Sequence, residues 1–271
     1  MELFSRQLGE GPPLVILHGL YGSSDNWLSI GKSLSGQFTV HLVDQRNHGR
    51  SPHDPVHTYQ AMRDDLRDFL DQHDLWKVNL IGHSMGGKTA MFFAAAFPHR
   101  LSSLVIVDIS PRSYKSLVSP SPQALSHLNI VQSLLSLNLE EIGSRSGAEN
   151  LLAETIPSHR VRQFLLKNLD RNPDGRFTWR LNLEVLAASL RSILDGFSEE
   201  AVKKGLKVTG FPVLFVRGEQ SDYINKEDME MAQNLFPEAR FESIPQAGHW
   251  VHAEQPELFL AALNRFYELK D

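Results

Sequence analysis

Short apolar runs recur along the chain at Leu14–Leu17, Phe38–Val43, Val78–Ile81, Leu104–Val107, Val213–Val216 and Phe241–Ile244, with helical patterns between them. A strand with one face in water alternates apolar and polar residues, so runs that are apolar throughout mean burial on both faces. The six runs predict parallel strands of an α/β sheet covered by helices such as Tyr59–His73, Met85–Phe97 and Pro256–Leu269. Each of the first four ends at a turn bearing polar or glycine residues, and ligands of such sheets gather at the carboxyl ends of the strands.

Between about Pro111 and Gly210 strand-like runs vanish and leucine-rich helical segments follow one another: Ala124–Leu137, Leu139–Thr155, His159–Leu169 and Leu181–Leu194. This predicts an all-helical insertion, residues 111–210, in a core domain made of residues 1–110 and 211–271. Its entrance, Pro111 to Pro122, is rich in Ser and Pro, as expected of a loop leaving the sheet. The insertion starts after one strand and ends before the next, so it should lie over the carboxyl edge as a cap. No internal repeat or low-complexity segment is visible.

Composition narrows the function. A chain of 271 residues, 41% hydrophobic and 22% charged, can bury a large core. A net charge of −5 and no run of like charge supply no basic surface for a phosphate backbone or an anionic membrane, so nucleic acid is not an expected partner. Zero cysteines exclude disulfides, thiolate metal sites and a cysteine nucleophile. The first residues, Met1-Glu2-Leu3-Phe4-Ser5-Arg6, do not read as a signal peptide and no window approaches 18 uncharged apolar residues. The expectation is a cytoplasmic protein without membrane insertion.

The chemistry centres on Gly82-His83-Ser84-Met85-Gly86, between the strand-like run ending at Ile81 and the helical run beginning at Met85. In a nucleophile elbow the serine sits on a strained turn, and the backbone passes so close to its neighbours that side chains two residues before and after would clash. Glycine at 82 and 86 meets that requirement; the bland alternative is a helix N-cap serine. A serine hydroxyl needs a base, and His249, in Gln246-Ala247-Gly248-His249-Trp250, follows a predicted strand and precedes the last helix. His73, His99, His127 and His159 lie on or beside predicted helices without a partner pattern. His252 could join His249 in a metal pair, but no third ligand with suitable spacing is evident. For the oxyanion, Met85 N–H stands at a helix N-terminus, and Leu20 N–H, in His18-Gly19-Leu20-Tyr21-Gly22, is the second donor expected. Taken alone, His18-Gly19 is also a plain strand-end turn.

Together, His18-Gly19, Asp44-Gln45-Arg46-Asn47-His48-Gly49-Arg50-Ser51, Gly82 to Lys88, Val107-Asp108-Ile109-Ser110-Pro111 and Gly248-His249-Trp250-Val251-His252-Ala253-Glu254 resemble the α/β-hydrolase superfamily. They are most similar to its YbfF-type bacterial esterases and ABHD11-type hydrolases. The resemblance spans the sheet domain nearly end to end and is weak across the cap. It implies an acyl-ester hydrolase, acting without cofactor or metal on small-molecule esters or thioesters as a monomer or homodimer, with Ser84, His249, Leu20 and Met85 in the roles above. For the acid, the common superfamily position is an aspartate three residues beyond a glycine after the cap. Here Gly218-Glu219-Gln220 is followed by Ser221, and Asp222 comes one place late. The resembling subfamily places its acid at the end of the strand before the cap, where Asp108 stands; Asp108 is favoured and Asp222 is the alternative.

Arg46 and His48 read as a polar loop fixing neighbouring turns rather than as substrate contacts. The leucine stripes of the cap read as packing first and an acyl pocket second, and Trp27, Phe92 and Phe93 share that ambiguity. Two rivals use the same residues: a carbon–carbon bond hydrolase or cofactor-free perhydrolase, and a small-molecule receptor with slow hydrolysis.

Overall fold

The computed structural model describes residues 1–115 and 121–268. Seven strands form one sheet: β1 (Ser5–Leu8), β2 (Pro13–Leu17), β3 (Thr39–Val43), β4 (Val78–His83), β5 (Leu101–Val107), β8 (Val213–Gly218) and β9 (Ala239–Ile244). Their order is β1-β3-β2-β4-β5-β8-β9, and every pairing is parallel except β1 with β3. All six expected runs are strands of this sheet. β1 was not anticipated: Ser-Arg-Gln-Leu has no apolar run, which suits an edge strand with little to bury.

Burial on both faces follows from the period of two along each strand. Leu80, Leu104 and Ile106 join a core with Phe69 and Met91 on one side, whereas Ile81, Val105 and Val107 join Trp27 and Phe259 on the other. The helices Tyr59–Gln72 and Met85–Ala96 supply the first face and Pro256–Tyr267 the second. Glu268, in the left-handed region, closes the last helix; Leu269, the end expected for it, lies outside the described residues. The chain runs from β2 outward to β3 and then back across to β4, so the crevice between β2 and β4 is a topological switch point.

The segment between β5 and β8 is helical but not all-helical, which corrects the sequence reading. It carries the helices Pro122–Leu135, Arg145–Leu152, His159–Leu166, Leu183–Ala188, Leu190–Ile193 and Glu199–Lys203, with an antiparallel hairpin of β6 (Leu169–Arg171) and β7 (Phe177–Trp179) in their midst. Asn172-Pro173-Asp174-Gly175 forms the hairpin turn, Gly175 at φ 86°, and Pro-Asp-Gly was the legible signal for it. Leu139–Thr155 shortens to Arg145–Leu152 because Ser144 caps a new helix, accepting from Gly147 N–H. Leu181–Leu194 breaks at Ser189 into two short helices. Of the expected entrance loop, residues 116–120 lie outside the described residues. The entry of the segment runs beside residues 194–197: Arg112 bridges Phe197, Phe197 N–H donates to Pro111 O at 2.8 Å, and Tyr114 N–H donates to Leu194 O at 2.7 Å. Lys88, fully buried on the helix after Ser84, donates to the carbonyls of Pro111 and Arg112.

Candidate active site

Ser84 follows β4 with φ 52° and ψ −118°, a conformation rarely adopted by a residue with a side chain. The crowding around it explains the glycines. A Cβ at Gly82 would lie 2.3 Å from Gly86 O, and one at Gly86 would lie 2.5 Å from Leu17 O. Ser84 N–H donates to Val107 O at 3.0 Å, tying the turn to β5.

His249, in the loop after β9, reaches Ser84: its Nε2 lies 3.0 Å from Ser84 Oγ, and its Nδ1 lies 2.8 Å from Asp108 Oδ2. Asp108 directly follows β5, is fully buried and has φ 50°. A buried carboxylate is costly unless donors replace its water. Here Gly218 N–H donates to Oδ1 at 3.0 Å, while Ser221 Oγ–H and the His249 ring donate to Oδ2. With Asp108 ionised, Nδ1 carries the imidazole proton and Nε2 is left to accept from Ser84. Asp222 is exposed; its backbone carbonyl accepts from Gln123, and its carboxylate has no hydrogen-bond partner among the described residues. Ser221 stands at the common acid position, three residues beyond Gly218, and serves Asp108 instead.

The imidazole of His249 is held on several sides. Tyr223 lies on it with ring centroids 3.8 Å apart at 18°. His83 packs 4.8 Å away and donates from Nε2 to His249 O at 2.9 Å. Burial holds the His83 ring far below the usual histidine range, so it stays neutral. Glu254 accepts from Gly248 N–H at 2.7 Å and Trp250 N–H at 3.2 Å, shaping the loop from below.

The His18 to Gly22 loop abuts the elbow: a Cβ at Gly19 would lie 2.7 Å from His83 Nδ1 and 3.1 Å from Ser84 Cβ. Leu20 N–H has no acceptor among the described residues, and Met85, as the first residue of its helix, has no carbonyl one turn back. The Asp44 to Ser51 loop braces this stretch. Gln45 N–H donates to His18 Nε2 at 3.0 Å, its side chain donates to His18 O at 2.7 Å, and Tyr21 N–H donates to His48 Nε2 at 3.2 Å. Arg46 points away, into a paired contact with Asp65 at 2.5 and 2.8 Å. The reading of Arg46 and His48 as loop-fixing residues agrees with these bonds.

Sequence reasoning missed Ser221 and Tyr223, whose signals were only their places three and five residues beyond Gly218. It also passed over His127, whose Nε2 lies 3.1 Å from Tyr223 Oη and whose carbonyl accepts from Tyr21 Oη at 3.3 Å. Trp27 and Phe93 are core residues, Trp27 stacking on His252 at 3.9 Å. Phe92 sits between Tyr59 and Phe197, where the sheet core meets the inserted helices.

Residues 12–256 match the family described as alpha/beta hydrolase fold. The chain belongs to this family. It is 40% identical over 265 residues to the sn-1-specific diacylglycerol lipase ABHD11 of Danio rerio, covering 96% of this chain and 80% of that protein. It is 35% identical over 254 residues to esterase YbfF of Escherichia coli K12, covering 94% and 92% of the two chains. Among solved structures, a marine microorganism esterase superposes with a TM-score of 0.91 at 42% identity over 98% of this chain and 99% of that one. These family members are hydrolases by name, and the resemblance read from the motifs holds. Among the described residues no helix is long and apolar enough to cross a membrane.

Proposed function

We propose that this α/β hydrolase is a carboxylesterase-type serine hydrolase that cleaves acyl esters, and thioesters as a second class, through an acyl-enzyme. The observation that carries the reading is the relay of two hydrogen bonds from Ser84 Oγ through His249 to Asp108, at 3.0 and 2.8 Å. Ser84 attacks the carbonyl carbon as His249 Nε2 takes its proton; the imidazolium, balanced by Asp108, then returns the proton to the leaving alcohol or thiol. Water, deprotonated by the same nitrogen, releases the acid and restores Ser84. Leu20 and Met85 N–H groups stabilise the oxyanion.

Residues 111–210 act as a cap that excludes water and houses the acyl chain. In support, the apolar cluster of the inserted helices, including Leu134, Ile156, Leu165 and Leu186, is continuous with Leu20, Tyr21 and Met85 beside Ser84. The relatives named diacylglycerol lipase and esterase agree with an acyl ester as substrate.

The test is steady-state hydrolysis of p-nitrophenyl esters from acetate to palmitate beside Ser84→Ala. Turnover by the wild type and none by the variant is the expected outcome, and the chain-length optimum then gauges the acyl site. Equal turnover by both proteins would remove Ser84 from the reaction.

A further inference from the structure

A cavity of about 190 Å³ lies on the seam between the inserted helix His159–Leu166 and the loop that carries His249. One wall is a single face of that helix and its cap: Arg160, Gln163, Phe164 and Lys167. The facing wall is Trp250 and His252. The space is many times what one water needs, roughly 15 Å³.

Its lining is one-sided in charge. No carboxylate lines it, although the chain as a whole carries −5. Lys167 Nζ has no ion-pair or hydrogen-bond partner among the described residues. Arg160 has only a long contact, 3.7 Å, to Glu254, whose two oxygens are already taken by the amides of Gly248 and Trp250. His252 is 5% exposed, and its buried Nδ1 has no hydrogen-bond partner. Burial first, then His249 and the cations of Arg160 and Lys167, keep that ring neutral, its pKa pushed down to about 3. Asn26, Gln163 and Ala253 complete the lining with the aromatic pair Phe164 and Trp250, which pack at 5.3 Å between centroids.

We infer that this cavity is a binding site for a small organic anion, a carboxylate or phosphate on a flat or apolar body, held by Arg160 and Lys167 with the body against Phe164 and Trp250. A guanidinium and an ammonium supply charge-assisted donors, and the aromatic walls favour an unsaturated or ring-bearing body over a hydrated inorganic ion. The site adjoins the reaction centre without being part of it. Trp250 follows His249, and the His252 ring packs 4.9 Å from His83, which holds the His249 carbonyl. The anion has two sources, the charged end of an ester substrate or a separate acid, and the chemistry of recognition is the same for both. The inference is independent of the role proposed for Ser84.

Benzoate, with benzamide as its neutral counterpart, is the probe, titrated calorimetrically into wild type, Arg160→Gln, Lys167→Met and the double variant. Benzoate is expected to bind at least tenfold more tightly than benzamide, and the double variant to lose at least tenfold, while its turnover of p-nitrophenyl acetate stays within twofold. Equal binding of the two probes, or undiminished benzoate binding by the double variant, overturns the site. Kinetics separate the sources. If benzoate competes with p-nitrophenyl acetate and the double variant loses kcat/KM only for p-nitrophenyl hemisuccinate, the anion is part of the substrate. If inhibition is noncompetitive and both esters are handled alike, a separate acid is the ligand.

Discussion

Tyr223 lies flat against the His249 imidazole, 3.8 Å away and within 18° of parallel, while its hydroxyl meets His127 from the inserted helices. In the mechanism proposed above, an aromatic face favours the imidazolium formed when Ser84 gives up its proton, by roughly 1 kcal/mol. Tyr223→Leu should therefore lower kcat about fivefold, whereas Tyr223→Phe, which keeps the ring and loses the hydroxyl, should retain most of it. Steady-state kinetics of the two variants decide between ring and hydroxyl; a larger loss in the phenylalanine variant would credit the His127 link instead.

Asp108 and Asp222 can be ranked directly. Asp108→Asn keeps the shape but cannot hold Nδ1 protonated, and if the proposed triad operates a fall in kcat on the order of 10⁴ is expected, the size of the loss for the corresponding change in a serine protease triad. Asp222→Asn should stay within about twofold, since the residue is exposed and its carboxylate is unpartnered among the described residues. The reverse ranking would sink the proposed relay.

Ser221→Ala removes one of three donors from a buried carboxylate. The charge that remains is under-solvated by about 1–3 kcal/mol, so both stability and kcat should drop while KM changes little. Urea denaturation and kinetics on one preparation give both readings.

Gly82→Ala tests the packing of the elbow apart from its chemistry. The added methyl would meet backbone, Gly86 O at 2.3 Å, which cannot rotate aside. A loss of about 3 kcal/mol or more is expected, near the upper range for overpacking. A variant as stable as wild type in urea would mean that the turn relaxes freely.

Acid should destabilise the fold through histidines buried in their neutral form. His57 and His252 are both pushed down to about 3, chiefly by burial. Their folded pKa lies below the unfolded value of about 6.5, so nothing is lost above that pH, and stability falls as pH drops from there toward 3. Each histidine contributes up to about 2 kcal/mol of loss at pH 5. Urea midpoints at pH 8, 6 and 5 should decline across this window; a flat profile would mean that these rings are protonated in the folded protein.

The sheet was legible because burial on both faces writes itself as short apolar runs, and the elbow because only glycine fits at 82 and 86. Asp108 was singled out only through the family resemblance, which puts an acid at the end of the strand before the cap. The proton relay it joins depends on the approach of β8 and the His249 loop, which no local pattern encodes. The hairpin of β6 and β7 was hidden because two three-residue strands leave no period to detect, although Pro173-Asp174-Gly175 marked the turn. Tyr223 and Ser221 escaped for a related reason: their importance lies in what they touch across the chain, at Asp108 and His249.

The bridge of Arg112 to Phe197, with Lys88 fastened beneath it, closes the loop of residues 112–197 at its base, and residues 198–212 carry the chain on to β8. A loop closed at its own base imposes no stretch on the strands to either side of it. What folds within it can be lengthened, shortened or exchanged for another design while Ser84, Asp108 and His249 keep their spacing.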